Sequence, residues 1–141
     1  RKFKLMVVNT VPKKLDLVIS RGKDKIELGQ RNGVVYKIDC INCDACYIGQ
    51  TKQHLDTRIK EHRVDIKKHL SNHSVVNKHR LSNGHEFDWD NKNILHYETN
   101  YRKREIAEMF FIKKNLRSIN LKRNTENLFE VYDVIVENTY C

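Results

Sequence analysis

The sequence predicts an α+β domain in which a small antiparallel sheet of about three strands is flanked by helices. Runs of β-branched and aromatic residues predict short strands at 34–38, 46–49 and 93–97. Apolar residues at helical spacing predict two main helices, at 52–70 and at 100–115. A chain of 141 residues is long enough to fold as one domain around a single core.

The first two strands are predicted to form an antiparallel hairpin. Gly33 precedes the first strand, and the seven residues 39–45 separate it from the second. This connection carries Cys40 and Cys43, so a tight turn would present two thiols on the same side of the hairpin.

The helix predicted at 52–70 begins after Thr51, whose hydroxyl is suited to cap it. Its apolar face is formed by residues at helical spacing: Leu55, Ile59, Ile66 and Leu70. Because successive helical residues turn by roughly 100°, His62 falls inside this apolar stripe and Arg58 at its edge. Two polar side chains directed toward the interior need partners there. A satisfied core histidine and a snorkelling arginine are the alternative interpretation.

The helix predicted at 100–115 opens on the basic triplet 102–104. Apolar residues occupy most of its circumference, so we expect it to be largely buried: Ile106, Ala107, Met109, Phe110, Phe111 and Ile112. Glu105 and Glu108 lie within the same helix. A buried carboxylate is costly unless it pairs with a cation or a metal ion, so these two residues are candidates for a site.

The charge distribution favours a polyanionic partner. The chain carries 27 basic and 18 acidic residues, and the excess lies in 1–32 (net +6) and 98–124 (net +5), whereas 125–141 is net −4. Such a basic surface indicates nucleic acid first and an anionic membrane second. No run of apolar residues approaches 18, which argues against a membrane-spanning segment.

Three parts of the chain are distinguished by composition. Residues 1–32 are predicted to be a basic arm or linker leading from an upstream domain, since the first residue is not a methionine. Residues 33–124 form the predicted core, and residues 125–141 an acidic C-terminal extension. Within the core, 71–91 is polar and rich in turn-forming residues, with one short helix predicted at 74–80.

Clustered cysteines followed by histidines predict a zinc site. Cys40 and Cys43 are separated by two residues, and His79 and His85 by five. Thiolate and imidazole ligands together select zinc, and three cysteines within seven residues make a poor disulfide framework. Because 35 residues separate the two pairs, the ion would staple the hairpin turn to the loop that follows the first helix. Cys46 is a competing ligand, but it begins the second strand and is predicted to be the spare thiol.

The order of several motifs resembles the GIY-YIG nuclease family. Two triplets resemble its name-giving signature: Val34-Val35-Tyr36 and Tyr47-Ile48-Gly49. Downstream residues match its arginine and histidine on the first helix, its helical glutamate and its last polar residue: Arg58, His62, Glu108 and Asn120. The first triplet departs from Gly-Ile-Tyr but keeps the tyrosine. The resemblance spans about residues 33–124.

The resemblance implies a catalytic set that cleaves phosphodiester bonds: Tyr36, Tyr47, Arg58, His62, Glu108 and Asn120. Glu108 would hold a Mg²⁺ or Mn²⁺ ion through one carboxylate. Arg58 would place its planar guanidinium on the phosphate. Both groups would stabilise the negative charge that develops on phosphorus.

The remaining members of the set would handle the proton of the attacking water. Tyr36 or Tyr47 could accept it, and the resemblance favours Tyr36. His62 would orient the tyrosine or share the proton transfer. Asn120 would hold the site together through hydrogen bonds.

A narrower resemblance is to the nuclease domain of Penelope-like retroelements, which has a CCHH zinc motif whose cysteines lie between the two tyrosine motifs. The stretches 47–51, 84–89 and 124–128 also resemble that group. This resemblance implies DNA as the substrate and a nick that primes reverse transcription. It further implies a covalently linked upstream reverse transcriptase, the element RNA as a partner, and a nuclear location.

Two other functions remain open at this point. A non-catalytic, zinc-stapled nucleic-acid-binding module would account for the charge and the CCHH set, but it would not account for Arg58, His62 and Glu108 on largely apolar helix faces. A GIY-YIG nuclease of the repair, restriction or homing type would account for the signature, but it would not account for a zinc motif placed inside that signature.

Overall fold

The computed structural model describes residues 26–67, 73–126, 128 and 132. The helices and strands follow in this order: β1 (Val34–Asp39), β2 (Cys46–Thr51), α1 (Leu55–Val64), α2 (Val75–Asn83), β3 (Asn93–Tyr97) and α3 (Tyr101–Lys114). The predicted α+β class is therefore confirmed. Most of the predicted arm and of the acidic extension lies outside the described residues. In the part of the chain that is described, no helix is long and apolar enough to cross a membrane.

β1 is the central strand of a three-stranded antiparallel sheet with the order β2-β1-β3. Its register with β2 places Tyr36 opposite Gly49, and a bulge between Val35 and Tyr36 shifts its pairing with β3. Four of its six side chains have no solvent exposure: Val34, Val35, Tyr36 and Ile38. A strand covered on both faces has apolar residues at successive positions, which explains the continuous run that marked it in the sequence.

Helices pack on both faces of the sheet, and the alternation of side chains along β1 divides the core accordingly. One face carries α1, α2 and the larger cluster, in which Tyr36 packs with residues from three further segments: Leu55, Ile59, Val76, Phe87 and Trp89. The other face carries α3 and a smaller cluster: Val35, Ile48 and Ile112.

α1 is shorter than the sequence indicated, and Thr51 is not its cap. Thr51 is the last residue of β2, and its Oγ1 accepts a hydrogen bond from Gln53 N at 3.1 Å in the turn that follows. The pairing of β2 with β1 extends to the Val34–Thr51 pair. Thr51 is therefore part of the strand and is not available to cap the helix. The helix gives way to a 3₁₀ turn at Asp65–Lys67, and the rest of the predicted segment lies outside the described residues.

α2 extends three residues beyond the short helix predicted at 74–80. Ser74 caps it by accepting a hydrogen bond from Asn77 N, and Gly84 ends it with a φ of 65°. Asn77 is fully buried and donates to the carbonyl of His62 at 2.7 Å. This bond fixes the end of α1 against α2.

α3 begins after Asn100, which accepts a hydrogen bond from Lys103 N. The expectation that this helix is largely buried was wrong: its fully buried residues are Arg104, Met109 and Ile112, while Ile106 is 37% exposed. One face of the helix lies on the sheet, so its other apolar residues are only partly covered. The buried residue nearest the start of the helix is the cation Arg104, which contacts Gln50 on β2.

Residues 117–120 close the outer edge of β2. Cys46 N donates to the Arg117 carbonyl at 3.1 Å, and Ile119 N donates to the Cys46 carbonyl at 2.9 Å. The Asn120 amide continues the pairing, accepting from Ile48 N at 3.0 Å and donating to Ile48 O at 2.7 Å. An edge strand exposes unpaired backbone groups, and this segment satisfies those of Cys46 and Ile48.

We expect Asn120→Ala to lower the free energy of unfolding by about 2 kcal/mol, because two hydrogen bonds to a buried strand are lost. Urea denaturation measures the change. Asn124→Ala, at an exposed position four residues away, is the matched control and should change stability by less than about 0.5 kcal/mol. Equal stability of the two variants would contradict the role of Asn120 at the strand edge.

Candidate functional site

The phenol of Tyr36 reaches across β2 because Gly49 has no side chain. A Cβ atom at Gly49 would lie 2.8 Å from Tyr36 Oη and 2.9 Å from Tyr47 Cε1. Tyr36 Oη is hydrogen-bonded to His62 Nε2 at 2.9 Å, and both side chains are buried. The polar residue in the apolar stripe of α1 therefore has a partner in the tyrosine of the first triplet.

Tyr47 completes a cluster of three rings on this face of the sheet. Its centroid lies 5.2 Å from the His62 ring, edge to face, and 6.3 Å from the Tyr36 ring. Tyr47 is partly exposed, whereas Tyr36 is fully buried. The two phenols thus differ in their access to solvent.

Arg58 lies beside both phenols and is paired with Glu61. Its Nη1 donates to Glu61 Oε2 at 2.7 Å, and Gln53 Nε2 donates to Glu61 Oε1 at 2.8 Å. Burial lowers the pKa of Arg58, but the bond to Glu61 and the two phenols raise it overall, so the guanidinium stays charged. The Arg58 and Glu61 side chains are 36% and 44% exposed, and exposed pairs of this kind are weak.

Both phenols are neutral at pH 7. Burial raises the pKa of Tyr36 well above its ordinary value, and the neighbouring Tyr47 adds to that rise. Burial also raises the pKa of Tyr47, and the charge of Arg58 opposes it. Tyr47 is the easier of the two to ionise.

Glu108 approaches β2 from the opposite face of the sheet. Its Oε2 accepts a hydrogen bond from Gln50 Nε2 at 2.9 Å. Burial raises the pKa of Glu108; the bond from Gln50 lowers it, and the nearby Glu105 raises it. Glu105 itself lies 3.7 Å from Arg102 on the more exposed side of α3.

The groups from the two faces meet around the C-terminal end of the edge strand β2. The charge of Glu108 acts on the ionisation of both Tyr36 and Tyr47, and Arg58 acts on that of Glu108, so the four side chains share one electrostatic environment. An open cavity of about 350 Å³ adjoins them, lined by Gln50, Thr51, Lys52, Gln53 and Arg58. Its lining offers the cationic side chains of Lys52 and Arg58 to a ligand arriving from solvent.

Asn120 lies on the outer edge of β2 rather than among these groups. It binds both backbone groups of Ile48, the residue between Tyr47 and Gly49. Its effect on the site is to hold the strand that carries the second triplet.

Three further residues belong to the site and were not predicted from the sequence: Gln50, Glu61 and Arg104. Arg104 belongs to the basic triplet that opens the helix, but it is 3% exposed and its Nε donates to Gln50 Oε1 at 2.8 Å. One signal was present: Arg104 and Glu108 are four residues apart, so they lie on the same face of a helix. The partner Gln50, on β2, could not be found from helical spacing.

Four metal-ligating side chains meet on the other side of the hairpin. The candidate ligand atoms of Cys40, Cys43, His79 and His85 all lie within 4.8 Å of one another. The turn between β1 and β2 supplies the thiols, α2 supplies His79, and the residue after Gly84 supplies His85. The spacing that predicted a shared site is matched by the geometry.

The distances fit a tetrahedral zinc site. Cys40 Sγ lies 3.7 Å from His85 Nδ1, Cys43 Sγ lies 3.6 Å from His79 Nε2, and the two nitrogens are 3.2 Å apart. Tetrahedral zinc with ordinary Zn–S and Zn–N bonds separates its ligands by about 3.3–3.8 Å. Two thiolates and two imidazoles are also a typical structural zinc set, so this cluster could hold zinc.

Cys46 stands apart from the cluster, as the sequence predicted for the spare thiol. It is buried in β2, and burial raises the pKa of its thiol. Burial also raises the pKa of Cys40, while burial and the adjacent His85 lower the pKa of His79. A neutral imidazole is the form that binds metal.

Comparison with known proteins gives one family. The model of the GIY-YIG catalytic domain matches residues 32–122, which is more than half of the chain. No curated protein and no solved structure matches the chain significantly.

We expect the purified protein to contain one equivalent of zinc, and His85→Ala to lose it. Because the ion would join two segments that are distant in sequence, its loss costs folding free energy. The thermal midpoint should fall by more than about 10 °C, since each kcal/mol shifts a domain of this size by about 4 °C. Metal analysis and calorimetry measure both effects.

Cys46→Ser is the matched control for this experiment and should keep its zinc. Protein purified without chelator that contains no zinc would contradict the metal site. Zinc loss in the Cys46→Ser variant would show that the ligand set is different.

Proposed function

Because the chain belongs to the GIY-YIG catalytic domain family, a family of nucleases, we propose that it is a metal-dependent DNA endonuclease that hydrolyses one phosphodiester bond and so nicks one strand. The observation that carries this proposal is the meeting of four groups at the end of β2: the Tyr36–His62 pair, Tyr47, Arg58 and Glu108. A base, a cation and a metal-binding carboxylate are what phosphodiester hydrolysis requires.

Arg58 is suited to bind the scissile phosphate. It stays charged, it lines the open cavity, and its bond to Glu61 is a partly exposed pair. A phosphate oxygen can replace the Glu61 carboxylate, because the guanidinium fork binds phosphate with two parallel hydrogen bonds. Glu61 would keep the guanidinium oriented until DNA arrives.

Glu108 is the residue that would hold the catalytic Mg²⁺ or Mn²⁺. A single carboxylate suits Mg²⁺, which keeps several waters and takes its other ligands from the substrate. When bound, such an ion stabilises charge on the phosphate and lowers the pKa of a bound water. The hydrogen bond from Gln50 favours the ionised form of Glu108 and opposes the rise in pKa that burial causes.

Tyr47 is the phenol that we propose accepts the proton of the attacking water. The family resemblance favours Tyr36, but Tyr36 is fully buried and its pKa is raised further. Tyr47 contacts solvent, and Arg58 stabilises its ionised form. Tyr36 would then hold His62 against the Tyr47 ring, which fixes the position of that ring.

Contacts with DNA outside the scissile phosphate would come from exposed cations. Arg102 and Lys103 lie exposed at the start of α3, whereas Arg104 is buried and occupied within the protein. Contacts from such side chains go mainly to phosphates, which carry no base information. Binding should therefore depend steeply on salt and weakly on sequence.

The finer role that we propose is that of a retroelement nuclease whose nick primes reverse transcription. A CCHH cluster whose two cysteines lie in the hairpin between the two tyrosine triplets supports it, because this is a feature in which the sequence resembles Penelope-like elements. The arm at 1–32 would connect to a reverse transcriptase bound to element RNA, and the protein would act in the nucleus. A non-catalytic binding module is the second candidate function, because it does not account for the Tyr36–His62 bond or for a partly buried Glu108.

We expect Glu108→Gln to lower the rate of plasmid nicking by about 1,000-fold or more, because a metal ligand worth several kcal/mol of transition-state stabilisation is lost. DNA binding should be retained. The measurement is single-turnover relaxation of supercoiled plasmid with saturating Mg²⁺, beside gel-shift binding. Glu105→Gln, one turn earlier, is the matched control: Glu105 influences the pKa of Glu108 but is not proposed as a metal ligand, so the variant should nick within about threefold of the unaltered rate. The reverse pattern would move the metal ligand to Glu105.

We expect the nicking rate of the unaltered protein to rise through pH 7–9, because burial raises the pKa of Tyr47 above its ordinary value and the ionised fraction is still increasing there. Tyr47→Phe should lose this dependence along with most activity. Tyr36→Phe should be slower but keep the slope. A flat profile for Tyr36→Phe and a steep one for Tyr47→Phe would assign the proton to Tyr36 instead.

A further inference from the structure

The side chain of Gln50 lies between two residues of α3. Its Nε2 donates to Glu108 Oε2 at 2.9 Å, and its Oε1 accepts from Arg104 Nε at 2.8 Å. Arg104 Nη1 in turn donates to the carbonyls of Glu98 and Thr99, at 3.0 and 3.2 Å. A continuous chain of hydrogen bonds therefore runs from the backbone before α3, through Arg104 and Gln50, to the proposed metal ligand.

The chemistry of the three groups permits one orientation of the Gln50 amide. A guanidinium can only donate hydrogen bonds, and an ionised carboxylate can only accept them. The amide must therefore turn its oxygen to Arg104 and its nitrogen to Glu108. The reverse orientation would place two donors against each other on one side and two acceptors on the other.

The two middle members of this chain, Arg104 and Gln50, are each held in place. Arg104 is 3% exposed, and the backbone of Gln50 is paired with Val35 in the sheet. The bond from Gln50 to one oxygen of the Glu108 carboxylate restricts the rotation of that group, and so the directions in which its other oxygen can point. Partners of this kind around metal ligands typically change metal affinity by 10–100-fold when they are removed.

We propose that Gln50, oriented by Arg104, is a positioning residue that holds the Glu108 carboxylate in the orientation in which it binds the divalent cation. The proposal rests on the proposed function, because it takes Glu108 to be the metal ligand. A purely structural tie between β2 and α3 would instead make Gln50 matter for stability and leave metal affinity unchanged.

The test replaces Gln50 by methionine, which keeps the length of the side chain and removes its hydrogen-bonding groups. Electron paramagnetic resonance of Mn²⁺ measures metal binding to the zinc-loaded chain in complex with an uncleavable phosphorothioate duplex. We expect the dissociation constant for Mn²⁺, and the Mg²⁺ concentration that gives half-maximal nicking, to rise at least about tenfold. At saturating Mg²⁺ the nicking rate should recover to within about threefold.

Gln50→Asn keeps the amide but is one methylene too short to reach both Glu108 and Arg104, so it should also raise the dissociation constant for Mn²⁺. If the methionine variant does not fold, Gln50→Asn replaces it in the experiment. Gln30→Met, at an exposed position in the 28–30 turn, is the matched control and should leave metal binding unchanged. A lowered thermal midpoint with unaltered metal affinity would overturn the proposal and leave the nuclease assignment intact. Absence of both Mn²⁺ binding and nicking in the unaltered protein would overturn the proposed function, and the role of Gln50 with it.

Discussion

The pairing of Tyr36 with Gly49 across β1 and β2 is the constraint on which the site depends. Tyr36 is on the central strand and its phenol must pass beneath the edge strand to meet His62 on α1. Any side chain at Gly49 would occupy the space of both phenols. The register of one hairpin therefore decides whether the aromatic cluster can form, because a shift of β2 by one residue would place Tyr36 and Tyr47 on opposite faces of the sheet.

The edge position of β2 lets side chains from both faces of the sheet meet. Tyr47 lies on the face of α1, and Gln50 on the face of α3. In a central strand the neighbouring strand would keep these two faces apart. Residues 117–120 pair with Cys46 and Ile48 in the first half of β2 and leave its C-terminal end, beside the cavity, uncovered.

The metal-ligating cluster and the proposed catalytic groups are joined through the same short elements. The hairpin turn that carries Cys40 connects the strands of the two tyrosines, and α2, which carries His79, is bonded to the end of α1 through Asn77. Glu86, next to His85, accepts hydrogen bonds from Arg80 and from Trp89 in the core. An ion bound there would hold the α1 face of the sheet as a unit.

Local patterns predicted the hairpin, β3 and the metal-ligating set, because strand propensity and ligand spacing are properties of neighbouring residues. They failed where a distant partner decides the outcome. The local sequence predicts Thr51 as a helix cap, but Thr51 pairs with β1 in the sheet. It also places Arg104 in a basic triplet, but Arg104 is buried and bonded to Gln50. The burial of α3 was overestimated because the apolar composition of a helix does not reveal how many of its faces contact other elements. α3 contacts the sheet through one face.

The most direct test of the account is the rate of single-turnover plasmid nicking by Gly49→Ala, measured on protein shown to be folded and zinc-loaded. The added methyl group would displace the Tyr36 and Tyr47 rings while leaving Arg58 and Glu108 in place. A displacement of about 1 Å in a catalytic group costs roughly 100-fold in rate, so we predict a loss of that size with DNA binding unchanged. A folded Gly49→Ala protein that nicks within threefold of the unaltered rate would contradict the claim that this pairing builds the site.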